Sequence, residues 1–264
     1  NDILKRIEEI SIPNIHNFQN IEKAKMYLDK YGIFIIPEFY SEHVLSEIES
    51  LNISLISEIN DIYQKHPTFY QTEKFVVQGE KKKFKNYKDL SKSKLPIASI
   101  RHGQDQGMID IFNYDLIKEV SLLKLRDLEN TKSLNQFMSQ FVNLALENIN
   151  LYVNQGITKT RGFHYDDFNN TIKAFVYLRD VEKLENGPYC FVKSTHKPGF
   201  VRNINQSITN QFEIKTEAPV VSVLDIIPIL AKKGSLVVSN QTGIHRGIPQ
   251  SKNGYREVIV LRYK

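Results

Sequence analysis

The sequence is poor in cysteine and has no long apolar run. A single cysteine, Cys190, among 264 residues excludes an internal disulfide. Its place between Tyr189 and Phe191 in a strand-like run predicts a buried thiol. No segment approaches the ~18–20 consecutive apolar residues that a membrane-spanning helix needs. The opening residues, Asn1-Asp2-Ile3-Leu4-Lys5-Arg6, do not have the pattern of a signal peptide. A cytoplasmic protein with no membrane partner is therefore expected. His-Glu-x-x-His, the paired-histidine motif of zinc hydrolases, is also absent, which weakens a hydrolase reading although His and Asp can bind zinc. Neither charge sign dominates strongly: 35 Lys and Arg against 30 Asp and Glu give a formal +5. That balance suits a phosphorylated or carboxylated ligand without requiring one, and nucleic acid is a disfavoured partner.

The length and the 41% hydrophobic content are enough to bury a substantial core. The pattern predicts one catalytic unit over 1–264, with a mainly helical part (1–149) and a strand-rich part (150–264). Residues 17–31 read as a helix stopped at Tyr31-Gly32, followed by a strand over 33–37. From Ser41 to Lys65-His66-Pro67, the positions Val44, Leu45, Ile48, Leu51, Leu55, Ile56, Ile59, Ile62 and Tyr63 recur at helical spacing, as core packing against a sheet would require. Residues 71–96 carry Lys74, Lys81, Lys82, Lys83, Lys85, Lys88, Lys92 and Lys94 with few apolar anchors. They read either as a solvated loop or as a lid bringing positive charge over an anionic substrate. Phe75, Phe84 and Tyr87 interleave with these lysines, the composition of a weak nucleic-acid surface.

Arg101-His102-Gly103-Gln104-Asp105-Gln106-Gly107 precedes a compact apolar run. It reads equally as a loop entering a buried strand and as backbone approaching a ligand, with Arg101 or His102 facing a cavity. Leu116–Leu128 and Leu134–Ile149 read as two bracing helices. From Asn150 the period becomes two: Ile172, Ala174, Val176 and Leu178 line one strand face while Thr171, Lys173, Phe175 and Tyr177 line the other. Residues 203–219 read as a polar loop, and strands are expected around 220–224, 235–239 and 256–263. Short strands separated by turn signals suit a barrel-like sandwich.

Within this part stands His164-Tyr165-Asp166. On a strand the outer two side chains share a face, and an imidazole plus a carboxylate is two thirds of the two-histidine, one-carboxylate triad that holds non-haem Fe(II). Downstream, Gly243-Ile244-His245-Arg246-Gly247 follows a strand-like run, and Arg256 opens another. His16, His43, His66, His102 and His196 have no comparable spacing. Asp167 would point away from Asp166 on a strand.

The order His-x-Asp, a distal His, then Arg eleven positions later (256 − 245 = 11) resembles the phytanoyl-CoA dioxygenase family of Fe(II)/2-oxoglutarate oxygenases. Leu178-Arg179-Asp180 through Glu185-Asn186-Gly187-Pro188, and Ser194-Thr195-His196-Lys197, resemble that family's "D…ENGP…PGSHK" stretch; Val192-Lys193 departs where Pro-Gly is common. The resemblance implies an α+β fold, a double-stranded β-helix (jelly-roll or cupin-like) core braced by N-terminal and central helices. It implies His164, Asp166 and His245 as iron ligands and Arg256 as partner of the 2-oxoglutarate distal carboxylate, a role that suits the guanidinium fork. It implies Phe175 as an aromatic wall beside the cosubstrate, and the reaction of 2-oxoglutarate and O₂ to succinate and CO₂ with hydroxylation of a small-molecule C–H bond. Relatives that halogenate replace the carboxylate, so Asp166 favours hydroxylation.

Tyr152 and Asn154 suit either hydrogen bonds to the cosubstrate or a structural role, and Arg161 and Arg101 are the candidates for an anionic part of the substrate. A polar or anionic metabolite such as a sugar or nucleotide-linked intermediate is the preferred class. A silent ligand-binding relative and a nucleic-acid demethylase are the alternatives. One geometric condition goes with the cofactor reading. A tight hairpin at Asn253-Gly254 would leave His245 roughly 20 Å along the strand, whereas a wide loop over 247–254, favoured by Pro249, sets Arg256 beside it.

Overall fold

The computed structural model describes residues 2–13, 18–65, 75–76, 94–122, 138–139, 144–166, 168–212 and 216–264. The chain begins with α1 (Asp2–Glu9), α2 (Phe18–Tyr31), β1 (Ile33–Ile36) and α3 (Glu42–Lys65). Helix α2 ends at Gly32, where φ is +80° and an added Cβ would lie 2.6 Å from His196 Nδ1; only glycine meets both conditions. β2 (Phe75–Val76), β3 (Ile97–Ile100) and β4 (Ile109–Phe112) follow, then a short helix (Lys118–Leu122), β5 (Leu146–Gln155), β6 (Ile172–Tyr177) and β7 (Tyr189–Val192). A helix over Phe200–Gln211 precedes β8 (Ile226–Pro228), β9 (Leu236–Asn240), β10 (His245–Gly247) and β11 (Tyr255–Tyr263).

Eight strands form one sheet in the order β1-β9-β6-β11-β5-β4-β3-β2, and three form a second in the order β10-β7-β8, all in antiparallel pairs. Single bridges extend the small sheet beyond β10: His164 pairs with His245 and, on its other side, with Glu217. This is the expected α+β double-stranded β-helix, with helices against the large sheet.

Strand alternation divides the core in two. Ile172, Ala174 and Val176 of β6, with Ile259 and Leu261 of β11, face outward and are covered by Leu45, Ile48, Leu55, Ile59 and Tyr63 of α3. Phe175 and Tyr177 of β6, with Val258 and Val260 of β11, face inward and meet Tyr189, Phe191 and Ile227 of the small sheet. Each fully buried aliphatic side chain contributes about 1.5–3 kcal/mol. The outward face also holds a charge. Glu257, 1% exposed, accepts hydrogen bonds from Asn52 (2.5 Å) and the Tyr255 hydroxyl (2.9 Å), and Tyr114 donates to Asn52 Oδ1 (2.6 Å). These partners satisfy a carboxylate that would otherwise be costly to bury, and they tie α3 to β11.

Several expectations need correction. Strand β5 already starts at Leu146, so the predicted helix over Leu134–Ile149 does not reach its end; Ile149, Leu151 and Val153 alternate onto the outward face. A short apolar window fits both periods, and sheet pairing decided it. Residues 203–211 are helical rather than loop, because the buried stripe of that helix is polar: Asn205 and Thr209 face inward. The Asn205 amide clamps Val220, donating to its carbonyl and accepting from its N–H, both at 2.8 Å. The strand placed at 220–224 starts instead at Ile226, after a 3-10 turn over Val223–Asp225. Most of the lysine-rich stretch 71–96, and 123–137 of the expected helices, lie outside the described residues.

Candidate metal centre

His164-Tyr165-Asp166 is not a regular strand, yet its side chains alternate as on one. His164 and His245 are bonded to each other through both backbone N–H groups, each 3.0 Å from the other's carbonyl. Their rings stand 4.6 Å apart on the inner side of the small sheet. Tyr165 turns the other way, into a cluster with Val192, Ala218 and Ile244. The Asp166 N–H donates to Gln241 O at 3.2 Å, which fixes the backbone that carries the carboxylate.

The two histidines are oriented alike. His164 Nδ1 lies 2.8 Å from Gly162 O, and His245 Nδ1 lies 2.9 Å from Gly243 O. A carbonyl only accepts, so Nδ1 carries the proton and Nε2 of the neutral ring turns its lone pair inward. Burial lowers the His164 pKa and favours that neutral form. Asp166 Oδ1 lies 3.6 Å from His164 Nε2 and 3.3 Å from His245 Nε2. The ligand atoms of these three residues all fall within 4.8 Å of one another, the one such cluster among the described residues. Asp166 Oδ2 takes the Lys173 ammonium at 2.5 Å. Burial alone would raise the Asp166 pKa, but the Lys173 ammonium beside Oδ2 outweighs it and holds the carboxyl well below its ordinary range.

Arg256 lies on the inner face of β11. Strand β10 belongs to the small sheet and β11 to the large one, so the chain between them crosses from sheet to sheet and the tight hairpin at Asn253-Gly254 does not form. The guanidinium lies 3.6 Å from where a Cβ at Gly247 would stand, two residues beyond His245. Nη1 donates to Gly187 O (2.7 Å) and Nη2 to Asn154 Oδ1 (3.1 Å). Nε is buried without a hydrogen-bond partner, and among the described residues no carboxylate lies within ion-pair distance of Arg256. A buried cation in this position calls for an anion. Asn154 thus orients the arginine, and Tyr152 sits across from Val258 and packs against the inner cluster. Phe175 stacks on Tyr189 at 4.8 Å, and the Tyr189 ring stands 5.7 Å from that of His245.

The two arginines expected to take an anionic substrate both have carboxylate partners. Arg101 pairs with Asp110 (2.7 Å) and Asp105 (2.9 Å). Arg161 pairs with Glu217 (2.6 Å), and its backbone N–H donates to Asp105 Oδ1 (3.2 Å). Sequence reasoning did not assign Lys173, Glu217 or Tyr189 to the site. Lys173 shares its strand face with Phe175, and that parity was the available signal. Glu217 carried none, because only the bridge to His164 brings it there. His196 donates through Nε2 to Asp29 O (2.9 Å), and exposed His43 is 3.9 Å from Glu47; neither joins the metal cluster. His16, His66 and Asp167 lie outside the described residues.

No protein-family model matches the chain, and no curated protein matches it by sequence. Solved structures do. The epimerase SnoN, in complex with Fe3+, alpha ketoglutarate and nogalamycin RO, aligns over 94% of this chain and 84% of its own, with a TM-score of 0.59 and 11% identity. AviO1 from Streptomyces viridochromogenes Tue57 covers 92% and 93%, at 0.56 and 16%. HygX from Streptomyces hygroscopicus, with nickel, 2-oxoglutarate and hygromycin B bound, covers 91% and 86%, at 0.54 and 15%. At such identities the likeness establishes the fold.

Proposed function

We propose that this chain is an Fe(II)/2-oxoglutarate-dependent oxygenase that acts on a C–H bond of a small polar metabolite, working as one catalytic unit over 1–264 in the cytoplasm. The observation that carries the reading is the pairing of two features. Three side chains able to hold a metal ion lie together, and a buried arginine with no carboxylate partner among the described residues lies against Gly247, two positions past His245. His164, Asp166 and His245 would hold the metal, with neutral imidazoles and one carboxylate as the donor set Fe(II) takes. Arg256, oriented by Asn154 and Gly187, would bind the distal carboxylate of 2-oxoglutarate through its fork. When bound, iron and the cosubstrate supply the oxidation of the C–H bond at the expense of O₂ and 2-oxoglutarate.

The protein's own share is placement and exclusion of water. Phe175 and Tyr189 form a wall beside His245, and Val258, Val260 and Phe191 close the inner space behind it. The Arg161–Glu217 pair adjoins His164 and offers donors and an acceptor together, which suits a hydroxyl-rich substrate better than a simple anion. Structures of this fold that hold nogalamycin RO and hygromycin B support the same preference.

Anaerobic addition of Fe(II) and 2-oxoglutarate should give the charge-transfer absorption of the chelate, and oxygen with the right metabolite should then give succinate. Absence of the chelate band sinks the reading. Epimerisation, which requires a two-electron reductant from solution in place of the electrons that hydroxylation takes from the substrate, is a second outcome of the same site, favoured by the likeness to SnoN, which is an epimerase. Product mass separates the two: hydroxylation adds one oxygen atom, and epimerisation leaves the mass unchanged.

A further inference from the structure

Lys173 projects from β6 into the space between the sheets, on the same face as Phe175. Its cross-strand neighbours are Ser239 of β9 and Arg262 of β11. Arg262 has its own partner, Glu147, at 3.3 Å, so it does not compete for Asp166. The Lys173 side chain is only 16% exposed, and its ammonium meets Asp166 Oδ2 while Oδ1 faces the two histidines. The two oxygens of one carboxylate thus face different partners, the ammonium on one side and the imidazole pair on the other. The Asp166 backbone is already held by its bond to Gln241 and by the adjacent His164 bridge. Lys173 adds a contact to one oxygen of the carboxylate itself.

We propose that Lys173 is a positioning residue that keeps Asp166 a one-oxygen ligand, so that the metal retains three open coordination positions. The inference rests on the reading of the site as an Fe(II)/2-oxoglutarate centre. Two imidazoles and one carboxylate oxygen leave three positions on a six-coordinate ion. A carboxylate turned to bind through both oxygens would leave two, which a chelating 2-oxo acid fills, and O₂ would have no place. The ammonium also repels the metal at short range, so the arrangement trades some metal affinity for an open position.

The test uses Mn(II), whose exchangeable waters are counted from the relaxation rate of bulk-water protons, on the full-length protein with and without 2-oxoglutarate. The wild type should show three waters, and one after 2-oxoglutarate. K173M should bind Mn(II) at least as tightly, show two waters, and show none with 2-oxoglutarate; K173R, which keeps charge and donors, should match the wild type. K173A gives the same measurement should K173M fail to fold. Wild-type counts in the folded variants overturn the proposal. So does loss of Mn(II) binding in a folded variant, which would make Lys173 a support of affinity, and so does loss of fold in both, which would make the pair structural. A wild type that binds no Mn(II), or loses no water to 2-oxoglutarate, instead sinks the oxygenase reading on which the proposal stands.

Discussion

The two faces of the large sheet are built from the same strands and do opposite work. On β11 the outward residues Ile259 and Leu261 lie in apolar packing under α3, while inward Arg256 lies in a polar recess. On β6 the outward Ile172, Ala174 and Val176 are matched inward by Lys173, Phe175 and Tyr177. The outer face is uniform, apart from the Glu257 network, and needs only to exclude water. The inner face is graded, apolar at the β1 and β8 end and charged at the His164 end. One polypeptide segment thus carries stability on even positions and chemistry on odd ones, or the reverse, and substitutions one residue apart should separate the two.

The largest expected effect is on the inner face. D166A or H245A should abolish metal binding, beyond the roughly 10–100-fold loss typical of residues that only support a ligand, with the fold kept; isothermal titration with Mn(II) and circular dichroism check both halves. R256M should leave metal affinity intact and weaken 2-oxoglutarate by about 10–100-fold, since each hydrogen bond to a charged group is worth about 1.5–3 kcal/mol; titration of the metal-loaded protein reads it. Ile259, three residues further along the same strand and facing outward, should behave in the opposite way. I259A should cost about 2–5 kcal/mol of stability in denaturant unfolding and leave both affinities unchanged. If I259A weakened 2-oxoglutarate, or R256M collapsed the fold, the division between faces would fail.

A smaller effect is expected at Gly187, whose φ is +70° and whose added Cβ would stand 2.3 Å from Gln250 Cγ. G187A should cost about 1–2 kcal/mol from backbone conformation and, because Gly187 O holds Arg256, lower 2-oxoglutarate affinity several-fold. The smallest effect is on pH dependence. Burial lowers the pKa values of His102, His164 and His196 below 6.5, so below that pH the unfolded chain takes up protons that the folded one resists. Stability should be flat in this respect above pH 6.5 and fall as the pH drops beneath it. H196Q, away from the metal cluster, should make the fall shallower in urea titrations across that range.

The outer face was the more legible in sequence. The helical stripe of α3, the alternation of β6, and strands β1, β9 and β11 all follow from periodicity, because apolar residues there have a single environment. The polar elements were harder to read. The Phe200–Gln211 helix buries Asn205 and Thr209, which a hydrophobicity pattern counts as solvent-facing. The start of β5 was hidden by residues compatible with either period. In the site, His164, Asp166, His245 and Arg256 stood out through spacing and family resemblance, and the structure brings them together. Lys173 enters the same space through its strand parity with Phe175, whereas Glu217 arrives through pairing between distant segments, which no local pattern encodes.

The reciprocal backbone bonds between His164 and His245 join segments 81 positions apart (245 − 164 = 81). The pair of imidazoles is therefore a late product of chain assembly: a ribosome-bound fragment ending before the second histidine has only half of it. A ligand set that needs both rings therefore exists only after two remote stretches of backbone have found each other, so its geometry is inherited from tertiary pairing and not from any local segment.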